Sequence, residues 1–407
     1  GPQPPGNVVA HADPQSYHSA AELPPANTLS PFHIHPVETL SDLEVDSGRS
    51  DTDSAIGSEI SSLADRYVHV VASSMSTSIS PADYQFRFED GRRYQSSNDK
   101  YHLPNDIREM DRLELQHLLW MELLGGRLHL APLQKINVTH ALDVGCGTGN
   151  WTIEFASQNP HVQVIGTDLS PIQPEYVPVN CTFYIDDATK DWSFHQRFDY
   201  IHVRMLTFGI NNWENFIDQA YQYLQPGGFL ELQEWNVPFE SPDNSLEEHH
   251  ALHRWTELMS RACSKIGIDL RSAGEHADRM RSRGFDHVVE RRLGAPIGPW
   301  AKGERQKRIG WMGRRDLQEG IDGMSSKLFK LLGEWNSDRE MENFLAEVKA
   351  DVNNPHVSFF LSKPSRFLTL ANADANLRSS RRFMLLCHCR ELLLNLVFAI
   401  LTYLLGL

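Results

Sequence analysis

A strand, a glycine-rich turn and a helix follow one another directly in the segment Ala141–Trp151, which reads Ala-Leu-Asp-Val-Gly-Cys-Gly-Thr-Gly-Asn-Trp. Glycines at such a turn permit a left-handed backbone and let a ligand approach the main chain closely. The helix that opens after Gly149 points its free N–H groups toward that ligand. The single alternation of glycines differs from the Gly-x-Gly-x-x-Gly of dinucleotide-binding turns. The unit therefore predicts an α/β fold that binds a ligand at this turn.

Short apolar strands alternate with helices from His140 to about Pro238. The predicted strands are Ala141–Val144, Val162–Thr167, Thr182–Ile185, Phe198–Val203 and Phe229–Gln233, and the predicted helices are Trp151–Ser157 and Trp213–Leu224. This alternation favours a parallel sheet with helices on its faces. The fold class that we predict is α/β and Rossmann-like, with a mostly parallel, doubly wound sheet.

Further helices flank this core and are expected to form a helical cap. Ile107–Leu124 is amphipathic, and Asn105 and Asp106 are candidate caps at its start. Downstream, helices are predicted at Leu246–Ile266, Gly274–Arg283, Glu304–Leu332 and Asp338–Ala350, and strands at Asp286–Leu293 and His356–Leu361. The cap is therefore expected to come from residues 90–125 and 246–350.

The turn resembles the cofactor loop of class I S-adenosylmethionine-dependent methyltransferases, whose pattern is Asp-x-Gly-x-Gly-x-Gly. In this chain the pattern covers Asp143, Gly145, Gly147 and Gly149, with Cys146 between the first two glycines. The resemblance implies that Asp143 faces the methionine end of the cofactor and that Gly147 lets the cofactor pass. All five residues are candidates for cofactor binding.

Acidic residues at the ends of the next two strands extend the expected cofactor site. Asp168 follows the loop by about 20 residues, where this fold places a bidentate acceptor for both ribose hydroxyls, and Leu169 comes next. Asp186 and Asp187 end the third strand, where a carboxylate can accept the adenine amino group. Either aspartate can serve, and a turn pair that caps the next helix is an equal alternative.

Several longer stretches resemble the fungal LaeA-like (TAM-domain) methyltransferases, from about Phe86 to Pro364. Besides the glycine loop they are Glu89–Tyr94, Tyr101–Asp106, Asp168–Pro174, Asp199–Arg204 and Pro296–Trp300. The segment 168–174, Asp-Leu-Ser-Pro-Ile-Gln-Pro, is more specific than the loop. The resemblance implies S-adenosylmethionine as the cofactor. For regulatory members it also implies velvet-type partner proteins and control of secondary metabolism.

Family resemblance leaves the methyl acceptor open, because fold and cofactor do not determine it. The leading expectation is a methyltransferase that regulates secondary metabolism, in the nucleus or cytoplasm. One alternative is a cofactor-binding scaffold in a transcriptional complex, whose methyl transfer is not its output. Another is a tailoring O-methyltransferase that acts on a small molecule.

The sequence constrains catalysis less than cofactor binding, because methyl transfer depends largely on positioning. A general base is needed only where the acceptor starts protonated. His202 and Glu234 end the fourth and fifth strands, at the sheet edge where ligands bind in such folds. Both are candidate catalytic residues, and a packing role is the alternative for His202.

Charge and cysteine content restrict the possible partners. The formal net charge of −15 over 407 residues excludes a general nucleic-acid binder, so we expect no direct nucleic-acid contact. The cysteines are scattered and odd in number, which favours reduced thiols. Cys387 and Cys389 flank His388 without a second ligand pair, so no metal site is expected. Basic residues from Arg261 to Arg315 form either solvated helix faces or a docking face for an acidic partner.

The two ends of the chain differ in composition from its middle. Residues 1–80 are rich in Pro, Ser, Asp and His and are expected to form a disordered arm. The methyltransferase domain is expected at 81–364, followed by an atypical C-terminal tail at 365–407. Leu392–Leu407 is strongly apolar but shorter than the roughly 20 residues of a spanning helix. Membrane association is therefore not expected unless this tail is a true anchor.

Overall fold

The computed structural model describes residues 43–46, 56–58, 60, 76–77, 86–96, 101–235, 237, 239–361 and 366–373. The strands are β1 Ser76–Thr77, β2 Arg87–Glu89, β3 Arg92–Tyr94, β4 His140–Val144, β5 Gln163–Asp168, β6 Tyr176–Val177, β7 Cys181–Ile185, β8 Phe198–Arg204, β9 Leu224–Trp235, β10 Phe239–Glu240, β11 Phe285–Arg292, β12 Pro296–Ile297, β13 Phe359–Leu361 and β14 Arg366–Ala373. The α-helices are α1 Ile107–Leu123, α2 Asn150–Gln158, α3 Trp213–Tyr223, α4 Ala251–Lys265, α5 His276–Arg283, α6 Glu304–Lys330 and α7 Asp338–Asn353.

Seven of these strands form one sheet in the order β11-β14-β9-β8-β4-β5-β7. The five strands β9, β8, β4, β5 and β7 are parallel, and β14 is antiparallel to both of its neighbours. After β4 the chain builds outward through β5 and β7 and then returns to β8 on the other side of β4. This reversal confirms the mostly parallel, doubly wound fold. It also places the carboxyl ends of β4 and β8 where such folds bind ligands.

Side chains of the central strands alternate between two apolar clusters on opposite faces of the sheet. On β4, Ala141 belongs to one cluster with Trp151 and Phe155 of α2. Its neighbour Leu142 belongs to the other cluster, with Phe216 of α3. A third cluster joins α4, α6 and α7 and forms the core of the cap. The apolar strands of the sequence are thus explained by burial on both faces.

Helix α1 begins where its sequence supplies a cap. Oδ1 of Asp106 accepts the backbone N–H of Glu109 at 3.1 Å, a bond that stabilises a helix by about 1 kcal/mol. Nη2 of Arg92 donates to the same oxygen at 3.0 Å, so the β2–β3 hairpin is tied to the helix start. Arg112 of α1 pairs with Asp316 of α6 at 2.6 Å. These contacts fix the helical cap over the carboxyl edge of the sheet.

Most predicted elements are present with shifted ends. Strand β9 starts at Leu224, where we expected helix α3 to finish, and helix α4 starts at Ala251 rather than at Leu246. The Pro-Gly-Gly turn therefore lies inside β9. A Cβ on Gly228 would lie 2.7 Å from the carbonyl oxygen of Asp199, so glycine lets β9 approach β8.

The central sheet extends past residue 364, where we expected the domain to end. Strand β14 lies between β9 and β11, and Leu368 pairs with both Gln233 and Arg291. Without β14, backbone N–H and C=O groups along one edge of each neighbouring strand would lack these partners. The predicted boundary is therefore wrong, and the domain includes Arg366–Ala373. The apolar run Leu392–Leu407 lies outside the described residues, and none of the helices within them is long and apolar enough to cross a bilayer.

Two parts of the expected N-terminal arm contact the domain. Val45 forms a β-bridge with Ala301. Ile56 and Ile60 are each 4% exposed and lie in a cluster with side chains of α1 and α6. The prediction of a disordered arm is wrong for these residues. Two isoleucines four positions apart form an apolar face on one helical turn, which the polar composition of the segment conceals.

Candidate active site

The glycine loop joins the end of β4 to the start of α2 at the carboxyl edge of the sheet. Gly145, Gly147 and Gly149 adopt positive φ angles of 72°, 56° and 83°. A Cβ on Gly149 would lie 2.5 Å from the ring of Phe183, so packing alone requires glycine there. A Cβ on Gly147 would meet only Leu113, at 3.4 Å. The loop is therefore open toward the neighbouring cavity at Gly147.

The cavity in front of the loop is lined by both the sheet edge and the cap. The predicted cofactor residues that line it are Asp143, Gly145, Cys146, Gly147 and Asp168. Those that do not line it are Gly149, Leu169, Asp186 and Asp187. Both predicted catalytic residues, His202 and Glu234, also line this cavity. The structure thus places the glycine loop, Asp168 and both candidate catalytic residues around one cavity. The two aspartates predicted to contact adenine, Asp186 and Asp187, lie outside the cavity lining.

Asp168 ends strand β5 beside the glycine loop. Its Oδ2 accepts the backbone N–H of Gly147 and its Oδ1 accepts that of Ser170, both at 2.9 Å. Burial raises the pKa of Asp168 to about 6, although both amide bonds act in the opposite direction. A carboxylate has about four acceptor sites, so lone pairs remain for two ribose hydroxyls. The geometry leaves room for the predicted ribose contact of Asp168, which stays a prediction.

The specific segment after Asp168 braces the loop, a role that the sequence did not reveal. Nε2 of Gln173 donates to the carbonyl oxygens of Gly147 at 2.6 Å and Ser170 at 3.0 Å. Nδ2 of Asn105, in the segment before α1, donates to Oγ of Ser170 at 3.1 Å. The loop, the end of β5 and the cap are thereby joined by buried hydrogen bonds. The only sequence signal for these partners was the specificity of the family resemblance.

Asp186 and Asp187 do not line the cavity. Oδ1 of Asp187 accepts the hydroxyl and the backbone N–H of Thr189 at 2.6 and 3.0 Å. The backbone N–H of Asp186 donates to the carbonyl oxygen of Asp168 at 3.0 Å. Asp187 therefore matches the alternative of a turn residue. Asp186 stays the candidate acceptor for the adenine amino group, and burial raises its pKa.

His202 and Asp143 face each other across β8 and β4, whose register pairs the two residues. Nδ1 of His202 lies 2.8 Å from Oδ1 of Asp143, while Oδ2 of Asp143 accepts the hydroxyl of Thr152 at 2.6 Å. A carboxylate only accepts, so Nδ1 carries the proton and Nε2 keeps a lone pair. The imidazole stacks on Trp151, with ring centroids 3.8 Å apart and planes 4° apart.

The second nitrogen of His202 is a free hydrogen-bond acceptor among the described residues. Nε2 is buried and has no hydrogen-bond partner among the described residues. Burial lowers the pKa of His202, although the Asp143 carboxylate raises it, so the ring is neutral near pH 7. An unpartnered buried acceptor is unfavourable, which indicates a place for a ligand hydrogen. Asp143 thus orients His202, a role that the sequence did not predict for it.

Glu234, the second candidate base, holds the loop that follows β8. Its Oε1 accepts the backbone N–H of Leu206 at 2.8 Å, and its Oε2 accepts the backbone N–H and the hydroxyl of Thr207 at 3.2 and 2.7 Å. Burial raises the pKa of Glu234 to about 7. Three hydrogen bonds hold Glu234 to this loop, whereas Nε2 of His202 has no partner among the described residues, so the geometry favours His202 as the base and gives Glu234 a positioning role. Proton transfer by Glu234 stays a prediction.

The basic residues of the cap form ion pairs within the domain. Arg279 binds Glu214 at 2.9 Å and Glu275 at 2.6 Å. Further pairs are Arg281–Asp278, Arg283–Asp218, Arg292–Glu290, Arg308–Glu122 and Arg315–Glu319. This pairing agrees with charged helix faces and does not support a docking face for an acidic partner. Among the described residues, no group of three or more potential ligands could hold a metal ion.

Comparison with known proteins identifies the family. A family model described as a methyltransferase domain matches residues 120–290. Methyltransferase pytC of Aspergillus terreus is 36% identical over 264 residues, which are 64% of this chain and 81% of that protein. The secondary metabolism regulator laeA of Aspergillus fumigatus is 30% identical over 286 residues, 69% of this chain and 76% of that protein. This chain belongs to the fungal LaeA-like family of class I methyltransferases.

A third relative has a name that specifies a methyl acceptor. The protein-methionine methyltransferase laeA of Emericella nidulans is 30% identical over 279 residues, 67% of this chain and 73% of that protein. LaeA-like proteins with enzymatic and with regulatory names therefore resemble this chain to a similar degree. Similarity alone does not choose the acceptor.

S-adenosylmethionine is the cofactor of the LaeA-like enzymes, and the residues around the cavity fit it. Gly147 leaves space for a ligand against the backbone, and the carboxylate of Asp168 stands beside it with lone pairs to spare. The N-terminus of α2 opens at the same place. The unpartnered Nε2 of His202 lies in the wall of the same cavity. The nucleoside part of the cofactor can therefore bind Asp168, while the reacting group of the acceptor can bind Nε2 of His202.

Proposed function

We propose that this methyltransferase acts on an acceptor that carries a removable proton, with His202 as the general base. The observation that carries the proposal is the Asp143–His202 pair in the wall of the cavity that also contains the glycine loop. When bound, S-adenosylmethionine supplies a methyl group on a sulfonium sulfur, a reactive electrophile. The protein supplies position and the removal of a proton.

A second buried histidine on this cavity cannot take the same role. Nδ1 of His117 lies 3.2 Å from Nη1 of Arg204, and its Nε2 lies 3.1 Å from Oε2 of Glu154. Arginine only donates, so Nδ1 of His117 accepts and its Nε2 donates to the carboxylate. Both nitrogens of His117 are engaged. His202 is therefore the better candidate base on this wall.

Replacement of the base separates binding from turnover. His202→Ala should leave the affinity for S-adenosylmethionine nearly unchanged and lower the methylation rate by about 10²–10⁴, the usual contribution of a general base. The assay follows labelled methyl groups from S-adenosylmethionine into the protein and small-molecule fractions of a fungal extract. His276→Ala is the matched control, because His276 is equally buried but lies outside the cavity. Full methylation by the His202 variant would remove it as the base.

Secondary metabolism is the setting that we propose for this activity. The laeA relative from Aspergillus fumigatus is named a secondary metabolism regulator. The pytC relative from Aspergillus terreus is named a methyltransferase, and its name specifies no acceptor. A regulatory role would include velvet-type partner proteins and a nuclear location, whereas a tailoring role suits the cytoplasm. Neither role requires direct contact with nucleic acid, in agreement with the net charge of −15.

A cofactor-binding scaffold remains the rival to turnover. It would need the glycine loop but not an oriented base. If regulatory output in cells survives His202→Ala and is lost in Gly147→Arg, the scaffold is favoured. If both variants lose output, turnover is the function.

A further inference from the structure

Apolar side chains of the cap and of the sheet edge also line the cavity. These side chains, called the acceptor wall below, are Phe208, Trp235, Val237, Leu270, Leu317 and Met324. They come from the loop after β8, the end of β9, the segment before α5 and helix α6. Small-molecule sites are usually concave, mostly apolar and equipped with few polar groups. The acceptor wall has that composition.

Three charged side chains of the cavity, Glu109, Arg112 and Asp316, form one ion-paired cluster. Nε and Nη2 of Arg112 donate to the two oxygens of Glu109 at 3.0 and 2.6 Å, and Nη1 donates to Oδ1 of Asp316 at 2.6 Å. Although burial opposes its charge, the two carboxylates raise the pKa of Arg112. Two carboxylates and one guanidinium leave this cluster with one net negative charge. An anionic acceptor would therefore be repelled here rather than bound.

The other arginine that lines the cavity, Arg204, is oriented by contacts within the fold. Nε of Arg204 donates to Oε1 of Gln233 at 2.7 Å, and Nη1 donates to His117 at 3.2 Å. Its guanidinium carbon lies 5.5 Å from the ring centre of Trp120. These contacts orient Arg204 along the cavity wall. Arg204 and the Arg112 cluster thus line a site that suits an uncharged acceptor.

The properties of His202 as a base further restrict the chemical class of the methyl acceptor. A thioether such as a methionine side chain has no proton to lose, so the oriented His202 would be idle in its methylation. Burial lowers the pKa of His202, which makes it a weak base. A weak base removes protons best from relatively acidic groups such as phenols. Phe208, Trp235 and the thioether of Met324 offer contacts that suit an aromatic ring.

We propose that the acceptor wall binds an uncharged small molecule by its aromatic body and presents a phenolic hydroxyl to Nε2 of His202. This inference rests on the proposed function. The hydroxyl proton passes to Nε2, and the oxygen forms a bond to the methyl carbon. The bond from that carbon to sulfur breaks, and its electron pair stays on sulfur. The products are an aryl methyl ether and S-adenosylhomocysteine, and the proton on His202 leaves to solvent.

Matched probes test the charge preference of the wall without requiring turnover. The full chain is first saturated with S-adenosylhomocysteine, and the binding of 2-naphthol and of 2-naphthoate is then measured by calorimetry. Because the second probe adds a negative charge beside Glu109 and Asp316, we expect 2-naphthol to bind about tenfold or more tightly. Equal or tighter binding of 2-naphthoate would overturn the inference. Absence of binding by 2-naphthol would also overturn it.

Substitutions in the wall locate the probe. Met324→Trp should fill part of the acceptor wall and weaken 2-naphthol binding by about tenfold, with little change in the affinity for S-adenosylhomocysteine. Gln318→Trp places the same side chain on α6 outside the cavity and should bind both ligands like the wild type. Val237→Phe is a second test if the first variant melts at a lower temperature. Unchanged 2-naphthol binding in both wall variants would refute the location.

Different results would contradict the proposed enzyme function and the proposed phenolic acceptor. If the wild type does not bind S-adenosylhomocysteine, the proposed function fails together with this inference. If it binds S-adenosylhomocysteine and methylates only protein fractions, the enzyme stands and the small phenolic acceptor falls.

Discussion

The contact of the N-terminal arm with the domain predicts a loss of stability when two isoleucines are shortened. Ile56 and Ile60 are each only 4% exposed and pack in a cluster that includes Leu119 of α1 and Met312 of α6. The same arm is held at Asp46, whose carboxylate lies 2.7 Å from Nζ of Lys307 on α6. The double replacement Ile56→Ala and Ile60→Ala removes the apolar part of this contact and leaves the backbone in place.

The size of the loss follows from the buried groups. Each replacement removes three carbons, and burial of a methylene contributes about 0.8 kcal/mol, so the two together remove about 5 kcal/mol. The arm can detach from the domain, so the loss cannot exceed the free energy of docking. Ordering the arm costs about 1–2 kcal/mol per residue and reduces that free energy. We therefore expect the free energy of unfolding to fall by about 3–5 kcal/mol. At roughly 2 °C for each kcal/mol, the melting temperature falls by about 6–10 °C.

Thermal unfolding followed by circular dichroism measures this difference. Val179→Ala is the matched control, because Val179 is 72% exposed and its shortening should shift the melting temperature by less than about 1 °C. A chain that begins at Pro81 should melt no higher than the double variant. If the double variant melts within about 1 °C of the wild type, the isoleucines do not pack on the domain and the reasoning is refuted.

Two further predictions concern the cofactor. Gly147→Arg should abolish calorimetric binding of S-adenosylmethionine, because Gly147 lines the cavity and has free space in front of it that the arginine side chain would fill; wild-type affinity would reject the loop assignment. Asp168→Asn should weaken binding by about tenfold or more near pH 7.5, from the loss of charge-assisted hydrogen bonds worth about 1.5–3 kcal/mol. The pKa of Asp168 is raised to about 6, so wild-type affinity should fall as pH drops through 6, and the Asn variant should not show this step. In the ligand-free protein the same raised pKa lowers stability as pH rises from about 4 to 6, because the folded state then binds more protons than the unfolded state. An affinity that is independent of pH, or a step retained by the Asn variant, would place the ribose elsewhere.

Features that depend on neighbouring residues could be predicted from the amino-acid sequence. The glycine loop between β4 and α2 is one continuous segment, and Asp168 ends the strand that follows it. Strand and helix periodicity was sufficient to predict a doubly wound sheet, because burial on both faces produces apolar strands. The amphipathic face of α1 and its Asp106 cap were readable for the same local reason.

Contacts between side chains that are distant in the chain could not be predicted in this way. Asp143 and His202 are 59 positions apart and become partners through the register of β4 and β8. Composition suggested a tail beyond residue 364, yet β14 closes the gap between β9 and β11. The polar setting of Ile56 concealed that it packs on the domain. Each of these contacts depends on how elements are placed in space, and local propensity carries no information about strand register or the packing of remote segments.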